Sequence, residues 1–335
     1  MLKLFKPSTY SFLPWFYTPE VHGHPPAVLL HLTHEPPQPD DEEEQQQSNT
    51  NSSIEGLGTE SNPFIVYRNK EDASDIGNKK HKLRKLRFVC MSDTHNQIHK
   101  LIIPHGDVFL HCGDAVKHRT SARDLITFNT FVGTLPHKHK IFISGNHCTC
   151  IDPNHPERTQ QILSNLVYLQ DSSVDIDGVK IYGSPWRPKR GYVYRAEAFG
   201  YDASRIQIDK WSHLPSDVDI LMTHGPPYSI RDFNPSSGKR VGCPGLLEEI
   251  ITRVKPSISI FGHMHDCHGA SLYRSADNEN LMQFYQDKHK NTATTAVATT
   301  STYTTNDETE ILFLNAAMVG GHHLLRNPIV FDFYY

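Results

Sequence analysis

No stretch of this sequence stays apolar for long enough to cross a bilayer. The best run, Ala27 to Leu32, falls far short of the ~20 residues a spanning helix needs. Met1 to Pro19 lacks the unbroken apolar core of a secretory leader, because Pro7, Pro14 and Pro19 interrupt it. Neither sign of charge is in excess: 33 Lys and Arg stand against 37 Asp and Glu, so nothing pulls the whole chain toward nucleic acid or an anionic membrane. The six cysteines show no C-x-x-C spacing. Cys90 and Cys112 lie inside apolar segments, where a thiol packs as a small hydrophobe, and this argues against a disulfide framework. The absences together point to a cytoplasmic protein with no membrane partner and no expected nucleic-acid partner. The basic run from Lys79 to Arg87 leaves nuclear entry open, although such a run is more often a solvated linker.

Hydrophobic residues are also scarce, at 37%, and the shortage is concentrated in two tracts. From Pro19 to about Asn78 the chain is rich in Pro, Gln, Asn, Ser and Glu, with an acidic block at Asp40 to Glu44 followed by Gln45 to Gln47. Such a segment buries too little apolar surface to offset its ordering entropy. Residues 1–85 are therefore expected to form a largely disordered extension with unknown protein partners. A second polar tract at 275–310 reads as a low-complexity insert within one folded domain over 86–335.

The domain shows β-type segments at Arg87 to Ser92, Asp107 to Cys112, Lys140 to Ser144, Val218 to Met222 and Ser257 to Phe261. Helical spacing marks Ser121 to Val132, Pro156 to Asn165 and Gly245 to Val254. Asp177-Gly178 between two apolar runs signals a hairpin, so the α/β sheet system is mixed. Strand patterns resume at Ile311 to Leu314 and Ile329 to Phe333. The aromatic stretch from Pro185 to Leu214 either forms a wall of a substrate cleft or packs over a sheet face.

Polar motifs stand where the apolar strands end: Asp93-Thr94-His95, Gly113-Asp114, Gly145-Asn146-His147, Thr223-His224-Gly225 and Gly262-His263-Met264-His265. The carboxyl ends of parallel strands share an edge, so these loops are expected to converge. Each fragment alone is weak, since Asp-x-His and Gly-Asp occur mostly in turns. Gathered in this order they suit a pair of divalent cations. Asp114 is the candidate bridge, with Asp93, His95 and His265 completing one site and Asn146, His224 and His263 the other. The all-nitrogen-and-oxygen set fits Mn²⁺, Fe²⁺ or Zn²⁺. Two such ions lower the pKa of a bound water toward about 7, and the resulting hydroxide would attack phosphorus. His147 would act catalytically, on a non-bridging oxygen or on the leaving group. Arg231 or Arg240 could meet a substrate anion, although surface positions are the commoner reading for both. His111 and His268 read as neighbours of the motifs rather than ligands.

The order of these motifs resembles the calcineurin-like metallophosphoesterases. Ser92-Asp93-Thr94-His95, Leu110-His111-Cys112-Gly113-Asp114, Tyr182-Gly183-Ser184-Pro185-Trp186, Leu221-Met222-Thr223-His224-Gly225-Pro226-Pro227 and Arg240-Val241-Gly242-Cys243 resemble the metallophosphoesterase-domain-containing subfamily of cyclic-nucleotide phosphodiesterases. The resemblance implies a four-layer α/β/β/α sandwich of two mixed sheets and metal-dependent hydrolysis of a small-molecule phosphodiester or nucleotide. It assigns the same ligands and His147. Some relatives carry Gly at the first His of Gly-His-x-His, whereas His263 is present here. Cys148 stands where many relatives have an acid, and Asn315-Ala316-Ala317 replaces Asn-Ala-Ser. The Gly-Asp-x-x-Asp-Arg-Gly pattern of Ser/Thr protein phosphatases is absent after Asp114. The alternative on the same fold is a nucleotide-binding sensor or scaffold of weak or no activity.

Overall fold

A computed structural model describes residues 57–68, 83–117, 121–189, 198–275, 309–320 and 325–335. The start of the extension and nearly all of the 275–310 insert lie outside the described residues, as do Lys79 to Lys82 of the basic run. In chain order the strands are β1 (Phe64–Tyr67), β2 (Lys85–Met91), β3 (Val108–Cys112), β4 (His139–Ile143), β5 (Val167–Tyr168), β6 (Ser172–Ile176), β7 (Val179–Ser184), β8 (Arg187–Pro188), β9 (Gly200–Tyr201), β10 (Ile220–Thr223), β11 (Phe233–Asn234), β12 (Lys239–Arg240), β13 (Ile258–Phe261), β14 (Gly269–Arg274), β15 (Glu310–Asn315) and β16 (Ile329–Tyr334). The α-helices are α1 (Ala122–Gly133), α2 (Pro156–Ile162), α3 (Ile206–Asp209) and α4 (Pro244–Glu249).

Two six-stranded sheets form the frame, in the orders β1-β16-β2-β3-β4-β5 and β14-β15-β13-β10-β7-β6. The inner strands of each run parallel. Antiparallel neighbours flank them, with β16 against β2 in the first sheet and β14 and β6 at the edges of the second. The sheets are therefore mixed, as the hairpin signal at Asp177-Gly178 implies.

Side-chain alternation sorts the apolar residues into three layers of core. On β3, Val108, Leu110 and Cys112 join Phe88 and Ile141 of the first sheet and Ile220, Met222, Ile260 and Leu314 of the second in one cluster between the sheets. Phe109 points the other way, against Leu125, Phe128 and Val132 of α1. Leu221 and Phe313 likewise face outward to Leu246, Leu247 and Ile250 on and after α4. Helix, sheet, sheet and helix are thus stacked in four layers. α1 starts at a box in which Ser121 N–H donates to Asp124 Oδ2 at 3.0 Å. α4 starts with Pro244 in its first turn and continues as a π-helical turn over Ile250–Val254, ending at left-handed Lys255 (φ 45°).

One strand lies inside the stretch expected to be largely disordered. β1 pairs in parallel with β16, Phe64 opposite Phe331 and Tyr67 opposite Tyr334. Phe64-Ile65-Val66-Tyr67 has the β-branched and aromatic character of a strand. It covers an edge of the first sheet and buries Phe64 in the core between the sheets. The polar residues on either side hide so short a run in the sequence. Arg68, just after it, reaches the second sheet's side of the molecule, with its Nε donating to Asp219 Oδ1 at 2.7 Å.

Candidate metal centre

The loops that leave β2, β3, β4, β10 and β13 carry the five polar motifs and meet at one edge of the sandwich. Their backbone takes unusual conformations: Asp93 (φ 52°), His95 (φ 44°), Asp114 (φ 51°) and His263 (φ 65°) are all left-handed. That region costs a non-glycine residue about 1–2 kcal/mol, and mutual hydrogen bonds hold it here. Asp93 N–H donates to Gly113 O at 2.9 Å, His95 N–H to Asp114 O at 3.0 Å, and His263 N–H to Asp93 Oδ2 at 2.8 Å. The last of these ties a loop of the second sheet to one of the first. Two glycines are required by space. A Cβ on Gly145 would stand 2.3 Å from Asp114 Oδ1, and one on Gly262 would stand 2.1 Å from Asp93 Oδ2.

The side chains present electron pairs to one another. His95 Nδ1 lies 3.3 Å from Val116 O, and His224 Nδ1 lies 2.9 Å from Cys112 O. A carbonyl only accepts, so both Nδ1 atoms donate, and in the neutral ring each Nε2 carries a lone pair. Those lone pairs face other acceptors. His95 Nε2 is 3.1 Å from His265 Nε2, and His224 Nε2 is 2.9 Å from Asn146 Oδ1 and 3.4 Å from Asp114 Oδ2. Asp93 Oδ1 is buried, accepts no hydrogen bond from the described residues, and lies 3.3 Å from His265 Nε2. Acceptors in such proximity repel unless a cation or a proton lies between them. The donor set thus suits divalent cations, and three overlapping groups have ligand atoms all within 4.8 Å of one another: Asp93, His95, His265; His95, Asp114, His147; and Asp114, His224, His263.

Electrostatics points the same way. Burial alone would raise the pKa of Asp93 and of Asp114, but the imidazoles around them hold both carboxyls below the ordinary range, so both are ionised. Burial pushes His263 well below its ordinary value, which keeps that ring neutral. For His265, burial is outweighed by Asp93, and its pKa rises. The carboxylate that raises the pKa of His265 would attract a cation in the same way.

Every side chain read from the sequence as a metal ligand or catalytic group is in this cluster, namely Asp93, His95, Asp114, Asn146, His147, His224, His263 and His265. The His147 side chain is 34% exposed, with Nε2 3.9 Å from Asp114 Oδ2. Its backbone N–H donates to Asp114 Oδ1 at 2.7 Å, which leaves Oδ2 to face the imidazoles. His111 is not in the cluster. It sits behind it, fully buried, 3.0 Å from Thr94 Oγ1, and burial lowers its pKa to about 3. His268 Nδ1 donates to Ala317 O.

Both arginines considered for a substrate anion are engaged by the protein. Arg231 is bound to Ser271 Oγ and to the carbonyls of His268 and Ala270. Arg240 pairs with buried Asp232 at 3.1 Å and so helps to shape the loop after His224. The structure adds supporting residues to those read from the sequence. Asn315 Nδ2 donates to Met264 O at 3.0 Å, between the two histidines of Gly-His-x-His, and Arg326 donates to His265 O. Asn315 stood out only as the start of Asn-Ala-Ala, and Arg326 carried no signal. Cys148 is buried under the Gly145 loop, where Gly145 N–H reaches its Sγ at 3.5 Å, so at this position a thiol supports the backbone.

A family model described as Calcineurin-like phosphoesterase matches residues 86–267. Human metallophosphoesterase domain-containing protein 1 is 38% identical over 207 residues, which cover 55% of this chain and 61% of that protein's length. A UPF0046 protein of Caenorhabditis elegans is 35% identical over 270 residues, 74% of this chain and 81% of its own. A solved structure from Thermus thermophilus superposes at 12% identity and a TM-score of 0.38, covering 57% of this chain and 85% of that one, which is too loose to add to the topology above. The matched segment begins in β2 and extends just past the last histidine of the cluster, and a chain so matched, with these loops at its strand ends, belongs to the calcineurin-like phosphoesterase family.

Proposed function

We propose that the chain is a dinuclear metal-dependent phosphodiesterase acting on a small phosphodiester, with a cyclic nucleotide as the leading substrate. The observation that carries this reading is the set of opposed acceptor atoms, in which His95 Nε2, His265 Nε2 and Asp93 Oδ1 face one another, as do His224 Nε2 and Asn146 Oδ1. Asp93, His95 and His265 would hold one ion, Asn146, His224 and His263 the other, and Asp114 would serve both. Mn²⁺, Fe²⁺ and Zn²⁺ all suit these ligands. A bound pair of such ions supplies an acidified water and neutralises charge on the phosphoryl oxygens.

The protein's own groups do the rest. Asp114, fixed through Oδ1 by the His147 N–H, keeps Oδ2 aimed into the cluster. The Val116 and Cys112 carbonyls set the tautomers of His95 and His224, so both imidazoles are ready to ligate without reorganising. His147, edge-on to His95 with ring centroids 4.8 Å apart and partly exposed, would hydrogen-bond a non-bridging oxygen or give a proton to the leaving oxygen. Kinship with metallophosphoesterase domain-containing protein 1 supports a phosphoester as the substrate class. Near-balanced charge gives no pull toward nucleic acid or an anionic membrane and is compatible with a cytoplasmic setting. Among the described residues no helix is long and apolar enough to cross a membrane.

The test is hydrolysis of 2′,3′- and 3′,5′-cyclic nucleotides and an aryl phosphodiester by metal-depleted protein with Mn²⁺ restored. Turnover that requires the metal and is lost in Asp114→Asn is the expected result. No turnover above that control, with nucleotide still bound, would replace the enzyme by a nucleotide-binding sensor on the same fold.

A further inference from the structure

His111 is a buried histidine that the chemistry proposed above does not use. It lies on β3 opposite Met91 of β2. Its ring packs among Phe109, Phe128 and Phe142, in the layer between the first sheet and α1, with centroids 6.3, 5.1 and 5.6 Å away. An imidazole in an aromatic pocket costs stability unless its polar atoms find partners. Nε2 has one, the equally buried Thr94 Oγ1 at 3.0 Å. Nδ1 has no hydrogen-bond partner among the described residues.

Thr94 stands between two of the proposed ligands. Asp93 (φ 52°), His95 (φ 44°) and Asn96 (φ 62°) are left-handed, and Thr94 is the one residue of the four that is not. Such a run persists only where its surroundings hold it. Part of the hold is backbone: His95 N–H donates to Asp114 O at 3.0 Å, Asn96 N–H to Ala115 O at 2.9 Å, and Gln97 N–H to Thr94 O at 2.7 Å. The Thr94 hydroxyl supplies another part. Burial keeps the His111 ring neutral, with a single N–H to place. A buried N–H without an acceptor is rarer than a lone pair without a donor, which puts the proton on Nε2, donating to Thr94 Oγ1. The hydroxyl proton is then directed at Ala115 O, at a long 3.5 Å. His111, Thr94 and Ala115 thereby join the turn that carries Asp93 and His95 to the turn that carries Asp114.

We infer that His111 is a positioning residue: through Thr94 Oγ1 it fixes the left-handed turn that aims Asp93 and His95 into the cluster. It touches neither metal nor substrate. The consequence for metal binding rests on the metal-centre reading, whereas the fixing of the turn is a property of the metal-free protein and is tested separately.

Three substitutions in the full-length protein separate the link from the packing. Thr94→Val keeps the shape and removes the hydroxyl, Thr94→Ser keeps the hydroxyl, and His111→Phe keeps an aromatic ring in the pocket and removes Nε2. Hydrogen–deuterium exchange of the metal-free proteins reads the turn, and calorimetric titration with Mn²⁺ reads its effect on binding. In Thr94→Val and His111→Phe the His95 and Asn96 amides should exchange roughly five- to tenfold faster, the worth of about one hydrogen bond. The Leu221 and Met222 amides of β10 should keep their wild-type rates, and Thr94→Ser should behave as the wild type. Mn²⁺ affinity should fall about tenfold in each of the two variants that break the link, and no further when they are combined, since both remove the same link. Faster exchange across both sheets would make His111 a core residue and overturn the inference. Unchanged exchange at His95 and Asn96, unchanged Mn²⁺ affinity in Thr94→Val, or losses that multiply in the double variant would overturn it as well. If His111→Phe does not fold, the contrast between Thr94→Val and Thr94→Ser decides. Failure of the metal reading looks different: the wild type binds no Mn²⁺, and the exchange pattern alone decides whether the turn is fixed in this way.

Discussion

The two sheets make unequal contributions to the cluster. The first supplies both carboxylates, the amide and the two left-handed turns next to them, through Asp93, His95, Asp114, Asn146 and His147. The second supplies imidazoles alone, His224, His263 and His265. The negative charge that would retain cations therefore sits on one sheet, and the other would complete the coordination with imidazoles. Neither half is a site by itself, because the apolar cluster between the sheets, with Phe88 and Leu110 on one side and Ile220 and Ile260 on the other, is what brings them together.

That asymmetry ranks the expected effects of substitution. Asp114→Asn removes a charge facing both groups, so activity should fall more than about a hundredfold, beyond what loss of a supporting residue costs, with metal content falling too. His263→Ala on the second sheet should cost less and should lower metal content by about one ion per chain, since of two proposed ions one would keep its ligands. If both variants lose the same activity and the same metal, the division between the sheets is wrong. Asn315→Ala frees the carbonyl of Met264 between His263 and His265 and should cost roughly tenfold in metal affinity with little change in fold. Elemental analysis alongside steady-state rates reads all three.

Stability gives a further comparison away from the metals. Ile260→Ala and Leu110→Ala cut the same inter-sheet core from opposite sides and should each cost about 2–5 kcal/mol in denaturant unfolding. The smallest effect is expected at the far side of the first sheet, where Asp332 takes hydrogen bonds from Arg87 at 2.7 Å and Lys85 at 3.2 Å. Burial works against its charge, yet these partners hold its pKa below the ordinary value. A carboxyl depressed on folding adds stability above its unfolded pKa, and the contribution is lost as pH falls through the folded one. Asp332→Asn should therefore lower Tm by a few degrees at pH 7 and by less at pH 3, as thermal melts at the two pH values would show.

Much of this arrangement can be read from the sequence because its signals are local. A run such as Val-Phe-Leu-His-Cys ending in Gly-Asp announces both a buried strand and the turn that follows. The turn needs Gly113 at φ 98° and tolerates Asp114 at φ 51°, and both residues are explicit in the motif. The four layers follow from alternation on strands buried on both faces. What stays hidden depends on distant partners. β1 is a four-residue island in polar sequence that becomes a strand because β16, far along the chain, offers an edge. Arg231 and Arg240 look like anion-binding candidates because of their place after His224, and only the positions of Ser271 and Asp232 show them engaged elsewhere.

The most direct measurement is the stoichiometry of Mn²⁺ bound by metal-depleted full-length protein, made together with cyclic-nucleotide hydrolysis on the same samples. Two ions per chain, as expected of a shared-carboxylate pair, with turnover rising as the second ion binds and both lost in Asp114→Asn, is the expected result. Turnover that persists without metal, or full metal loading that never produces turnover, would contradict a dinuclear phosphodiesterase.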